Sequence, residues 1–388
     1  MLRLPEGTQG ALQETGSGRI HAQQQDAFST KGQMTGDNAP LWLARFGDPA
    51  GENPRASAAR LDLPMSEAAV AEIVSQAGAH GVIMAVARNL AAIAHGDAHG
   101  LGNAPGEDAQ EAVRALIATL QTSYRAQAAR NMALDQLGGQ IQTALAAAGL
   151  PAVIVKGPDF ARNVYGGLSS RAFTDIDILA APGAATAVAQ TVERLGFEPV
   201  EPSDKRAAYT ERQYWREKGT GSHDLVEVHT DMVHAPKLRH ALSMGYEDYA
   251  GPAAGGITMA SRLVLAGLHG ATSHLFDRLQ NIVDMMMIAR AGVDGRELAE
   301  RARRSGAETP VRTGLSIAHA IFGCEACRAL LSAVDARSTD MLARLLVSPH
   351  CVLHAQSSHR ARHSWRRQAY RWLLARQAPI AAHRNAAD

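Results

Sequence analysis

The sequence predicts an α+β fold: a small mixed sheet held between helical regions on its N- and C-terminal sides. Three observations predict it. Apolar residues recur at helical spacing before residue 150, as in Leu134, Leu137, Ile141 and Leu145. The period then switches to short β-branched or alternating runs, Ala152 to Val155 and Asp175 to Leu179. Aromatic residues make up only 5% of the chain and hydrophobic residues 46%, leaning on Ala, Leu and Val, which favours helices over an all-β sandwich.

The elements follow in order. Residues 1–60 are rich in Gly, Gln, Ser, Asp and Pro without sustained periodicity and read as a mobile extension, in which Leu41 to Phe46 is a short docking segment at most. Residues 61–149 form a helical region. Ser66 is placed to cap a first helix, and a second covers His80 to Ile93. A long helix runs from Glu107 to Ala148, where Gly149 and Pro151 stop it. Residues 150–250 form the core. Here strands at Ala152–Val155, Asp175–Leu179, Tyr209–Glu217 and Asp224–Thr230 are expected, with another starting at Phe197. Short helices are expected at Phe160–Tyr165 and Ala184–Leu195, and Gly219-Thr220-Gly221 turns the last two strands. Residues 251–388 are helical again, from Thr258–His274 through Leu279–Arg290, Gly295–Ser305, Val311–Phe322, Arg328–Val334 and Ser338–Leu346 to a basic tail.

The 388 residues carry 39 basic and 38 acidic side chains, a net charge of +1, so the whole molecule is not an electrostatic nucleic-acid binder. Three cysteines cannot make a disulfide framework and suit a reducing compartment. The N-terminus lacks a basic start followed by an apolar stretch, and no run of about 18 apolar residues occurs. These features place the protein in the cytoplasm without a membrane span.

The chemistry concentrates in Lys156-Gly157, Arg171, Asp175-Ile176-Asp177 and Glu227. On a strand, residues i and i+2 share a face, so Asp175 and Asp177 present both carboxylates to one point. Glu227 adds a third from a later strand. Converging carboxylates are costly until a cation neutralises them, and Mg²⁺, or Mn²⁺, prefers carboxylate and phosphate oxygens. Lys156 supplies a point charge, Gly157 lets backbone approach a phosphate, and Arg171 can clamp one bidentately. His229 lies two residues beyond Glu227 on the same face, and His269 and His274 share a later helix with Asp277, Arg278 and Asp284 beyond. Both His229 and His269 are candidates for the cleft or acceptor, weighed against ordinary packing roles.

At these residues the chain resembles a known family. Gly149 to Gly157, Tyr165-Gly166 through Arg171, Thr174 to Leu179, and Val226-Glu227-Val228-His229 resemble the motifs of the uncharacterised nucleotidyltransferase family, within the polymerase-β-type nucleotidyltransferase superfamily. Leu268-His269-Gly270-Ala271 and Arg278 to Asp284 resemble its later helices more loosely. The resemblance implies a sheet of nucleotidyltransferase type. It implies transfer of a nucleoside monophosphate from an NTP such as ATP to an acceptor hydroxyl, with pyrophosphate released. Asp175, Asp177 and Glu227 would be catalytic and hold the metal, while Lys156, Gly157 and Arg171 would bind the nucleotide's phosphates. Pro158 departs from the superfamily's pattern, standing where a serine would offer a hydroxyl and an N–H. That departure motivates one alternative, an inactive scaffold of the same fold; the basic C-terminal tail is the only hint of another, a toxin-like nucleotidyltransferase acting on tRNA. The acceptor, whether small molecule, protein or RNA, is not implied.

Two further motifs stand apart. Cys324-x2-Cys327 and Cys351-x2-His354 have the spacing of a zinc site, although buried free thiols are the default for such a helical context. The tail from Gln356 carries seven arginines and one acid. It reads either as a nucleic-acid grip or, preferably, as an amphipathic helix that packs Trp365, Trp372 and Leu373 and leaves its arginines solvated.

Overall fold

The computed structural model describes residues 39–51, 53, 66–95, 106–201, 210–219, 222–251, 255–355 and 364–377. A five-stranded sheet lies among helices, with order β1-β2-β5-β4-β3: β1 (Ala152–Val155), β2 (Ile176–Ala180), β3 (Glu198–Pro199), β4 (Glu211–Lys218) and β5 (Ser222–His229). Strands β2 and β5 run parallel; every other pairing is antiparallel, so the sheet is mixed. β4 and β5 form the expected hairpin, although Thr220 and Gly221 at its turn fall outside the described residues.

Among the described residues four helices precede the sheet: α1 (Ala39–Phe46), α2 (Glu67–Ala79), α3 (Ile83–His95) and α4 (Gly106–Ala147). Ser66 caps α2 by accepting the Ala69 N–H at 3.2 Å. α4 serves two cores. Leu116 and Leu120 in its first half bury among the other helices, whereas Leu134, Leu137, Ile141 and Leu145 bury against Ile176, Ile178 and Val226 of the sheet. α5 (Gly157–Asn163) follows β1, and α6 (Ala185–Arg194) packs Val188 and Val192 on the sheet's core.

One expectation is corrected here. Part of the segment read as mobile is α1, whose Trp42, Leu43 and Phe46 are fully buried in the main helical core. Asn53 donates to the carbonyls of Ala44 and Ile321, Asn89 to those of Phe46 and Asp48, and Asp48 pairs bidentately with Arg290. A short apolar cluster set in polar sequence has no periodicity to announce it; its partners lie hundreds of residues away.

The C-terminal helices are α7 (Met259–His269), α8 (Leu279–Arg290), α9 (Gly295–Ser305), α10 (Glu308–Phe322), α11 (Glu325–Ala333), α12 (Asp340–Leu346), α13 (Pro349–Leu353) and α14 (Trp365–Ala375). Met285, Met286, Ile282 and Ile288 of α8 are all buried, as the apolar run implied. The single helix expected over Thr258–His274 is instead α7 followed by a π-helical turn, Gly270–His274. Leu275 and Phe276 then both take φ of 53°. Gly270 is required: a Cβ there would lie 2.5 Å from the Phe276 ring.

Candidate active site

β1 delivers Lys156 at its C-terminal end, in a conformation that a lysine rarely adopts, φ 54° and ψ −123°. Such strain costs about 1–3 kcal/mol and persists only where surroundings enforce it. Here the turn swings the buried ammonium onto Asp177, 2.8 Å from Oδ1. Gly157 follows under a tight ceiling, since a Cβ would sit 3.3 Å from the Asp175 carbonyl oxygen. Pro158 opens α5, a position where its missing N–H costs no helical bond.

β2 carries Asp177, and the parallel register sets it opposite Glu227 of β5. His229, two residues on and fully buried, brings Nε2 to 2.9 Å from Asp177 Oδ1 and 3.6 Å from Glu227 Oε2. Gln213 of β4, paired in register with Glu227, donates to its Oε1 at 2.7 Å. The loop ahead of β2 is pinned from α4. Asn131 donates to the carbonyls of Leu168 and Arg171, Gln127 to that of Phe173 and Arg130 to that of Thr174. Asp175 therefore arrives at the cleft on a fixed backbone.

Arg171 lines the cleft, but its guanidinium is held elsewhere. Nε and Nη2 donate to the two oxygens of Asp284 at 2.7 and 2.8 Å, and the Tyr165 hydroxyl donates to the same carboxylate at 2.6 Å. This buried pair ties the pre-β2 loop to α8 rather than presenting a fork to a ligand.

The electrostatics are those of a crowded acid cluster. Burial pushes the Asp177 carboxyl up, but the Lys156 ammonium and the His229 hydrogen bond outweigh it and hold it below the ordinary carboxylate range. Burial and the Asp177 charge raise Asp175. The same two causes push Glu227 up to about 7, against the opposing influence of His229. Burial works against the Lys156 charge, yet Asp177, Asp175 and Glu227 raise its pKa. His234 and His269 are held neutral, each driven well below the ordinary histidine value first by burial and then by neighbouring cationic groups, Lys156 among them.

Two groups of the described residues bring donor atoms within 4.8 Å of one another: Asp177 with Glu227 and His229, and Glu211 with His229 and His234. Asp175 faces the same cleft but is outside the tight groups. His269 places Nδ1 3.4 Å from Lys156 Nζ and packs edge-on to His274. The cleft enclosing these residues has a volume of about 590 Å³. Sequence reasoning missed its other members: Glu211, Gln213 and His234, which alternation around Glu227 and His229 could have suggested, and Arg367, Gln368 and Arg371 of α14, which it could not.

The remaining motifs resolve differently. Cys324, Cys327 and Cys351 are free thiols and join no metal-competent group among the described residues; the Cys351 sulfur receives Ser348 and Arg366. In the tail, the expected packing holds for Leu373 and fails for the two tryptophans. Trp365 and Trp372 are exposed at 70% and 57%, while Arg367 is buried with Tyr370, Leu373 and Leu374. The rest of the stretch read as a nucleic-acid grip, residues 356–363 and 378–388, lies outside the described residues. No described helix is long and apolar enough to cross a membrane.

Compared with known proteins, the chain matches a family model described as an uncharacterised nucleotidyltransferase over residues 66–323. No curated protein and no solved structure matches it.

Proposed function

The chain belongs to the uncharacterised nucleotidyltransferase family, and from that premise we propose that its cleft transfers a nucleoside monophosphate from an NTP to an acceptor hydroxyl. The observation that carries this reading is the register that sets Asp177 opposite Glu227, with Asp175 two residues away and Lys156 supplying the counter-charge. The donor set is the Asp177 and Glu227 carboxylates with the His229 ring nitrogen, and Asp175 adjacent; its carboxylate oxygens suit Mg²⁺ or Mn²⁺, and the imidazole suits Mn²⁺ better. When bound, such an ion neutralises phosphate charge and lowers the barrier to attack by a hydroxyl.

The chain's own residues do the rest. The acceptor oxygen forms a bond to the α-phosphorus, the bond to the β-bridging oxygen breaks, and pyrophosphate leaves with that electron pair. Glu227 takes the hydroxyl proton on a carboxylate oxygen. Lys156 and Gly157 flank the reacting phosphoryl group. Arg171 acts through Asp284, fixing the loop that presents Asp175. Catalysis is then chiefly positioning and charge neutralisation.

The test supplies α-labelled NTPs and Mg²⁺ with small-molecule, protein and RNA acceptors. Label transfer matched by pyrophosphate, and lost in Asp175→Asn, supports the reading. Nucleotide binding without transfer to any acceptor class would favour a scaffold.

A further inference from the structure

The cleft needs cations for a polyphosphate, and those nearest the carboxylates are already engaged. Five lysine and arginine side chains line it among the described residues: Lys156, Arg171, Arg278, Arg367 and Arg371. Lys156 is held by Asp177 and Arg171 by Asp284. Arg367 and Arg371 come from α14, beyond the residues that match the family. Each donates one guanidinium nitrogen to a backbone carbonyl of the π-helical turn, Arg367 to Ser273 at 2.7 Å and Arg371 to Thr272 at 2.8 Å, and the same Arg367 nitrogen lies 3.8 Å from Asp277 Oδ2. The widened turn leaves those carbonyls exposed to capture, and capture fixes both planar forks along the cleft. The Ser273 hydroxyl, also on the cleft, is buried without a hydrogen-bond partner.

We propose that α14 is the phosphate-binding wall of this cleft: Arg367 and Arg371, with the exposed Arg278, take the β- and γ-phosphates of the incoming NTP. The inference rests on the nucleotidyl-transfer reading and assigns the part that neither Pro158 nor Arg171 can supply. A guanidinium fork meets phosphate oxygens bidentately, and its hydrogen bonds are charge-assisted. The helix thus links the C-terminal region to recognition of a triphosphate.

The experiment uses the full chain and calorimetric titration with inorganic tripolyphosphate, the four Mg-NTPs and the matching nucleosides. Arg371→Gln and Arg367→Gln remove the guanidinium charge and its reach while keeping a polar side chain at each position. Both are checked for an unchanged melting transition, and half-buried Arg371 carries the test if Arg367→Gln misfolds. The expected result is that each variant weakens tripolyphosphate and NTP binding by about 10-fold or more and leaves nucleoside binding unchanged. Equal NTP and tripolyphosphate binding in wild type and Arg371→Gln would overturn the wall and leave the transfer reading standing. Arginine-dependent tripolyphosphate binding without any NTP binding would overturn both the NTP wall and nucleotidyl transfer, and leave a polyphosphate site. Binding of neither probe by wild type would overturn both.

Discussion

Asp177 and Glu227 stand directly opposite one another in the only parallel pairing of the described sheet. Their side chains leave the same face of adjacent strands, so the backbone ladder, not a loop, sets the spacing of the acid pair. Lys156 and His229 both converge on Asp177 Oδ1. The acid cluster is thereby held together before any ligand arrives.

That geometry changes what Asp177→Asn should do. Sequence reasoning alone expects lost turnover with little change in stability. In the fold, the substitution leaves the buried Lys156 ammonium without its nearest carboxylate, so turnover is lost and stability falls by about 3 kcal/mol in chelator-treated protein. Urea unfolding of Asp177→Asn, Lys156→Met and the double variant should give a coupling energy of roughly 2 kcal/mol. Additive effects would contradict the pairing.

Arg171→Lys should cost about 2 kcal/mol, because a lysine cannot donate bidentately to Asp284. Its NTP affinity, measured under conditions where it stays folded, should change far less than that of Arg371→Gln. A large affinity loss with unchanged stability would restore the phosphate clamp.

His80 gives the fold a pH-dependent term outside the cleft. It is buried, accepts the Leu279 N–H at Nδ1, and is lowered to about 4, first by burial and then by Arg278. The unfolded chain binds a proton near 6.5, so between about 6.5 and 4 the unfolded state holds more protons. Stability therefore rises with pH across that window and is lost as pH falls from about 6.5 to about 4, by up to about 3 kcal/mol from this group. His80→Asn keeps an acceptor and should show a shallower slope in the same window by urea unfolding at stepped pH.

Helix α1 is a structural part of the molecule. Trp42→Ala should cost about 3–5 kcal/mol by thermal or urea unfolding. A cost under about 1 kcal/mol would return this segment to the mobile extension.

Much of the fold was legible because it is written in local periods. The helical stripes of α4 and α8, the β-branched run of β1 and the alternation through Asp175 to Leu179 each name their element. The acid cluster was legible because Asp177 and Glu227 sit between apolar neighbours on strands. What stayed hidden depends on tertiary contact. Arg171 reads as a phosphate clamp until Asp284, 113 residues later, claims it. In α14, Leu373 packs as expected, but the carbonyls of the π-helical turn hold Arg367 and Arg371 while Trp365 and Trp372 lie exposed. No pattern around residue 365 records a turn near residue 272.

The central claim is a divalent-metal-dependent nucleotide site built on Asp175, Asp177 and Glu227. Its most direct test is thermal-shift titration of wild type and Asp175→Asn with Mg²⁺ and each of the four NTPs. At 100 times its dissociation constant, a ligand that binds only the folded state adds about 2.7 kcal/mol, which is readable as a melting shift. The account predicts that at least one NTP stabilises the wild type only when Mg²⁺ is present, and that Asp175→Asn loses the shift. Stabilisation that ignores Mg²⁺, or that survives in Asp175→Asn, or no stabilisation by any NTP, would contradict it.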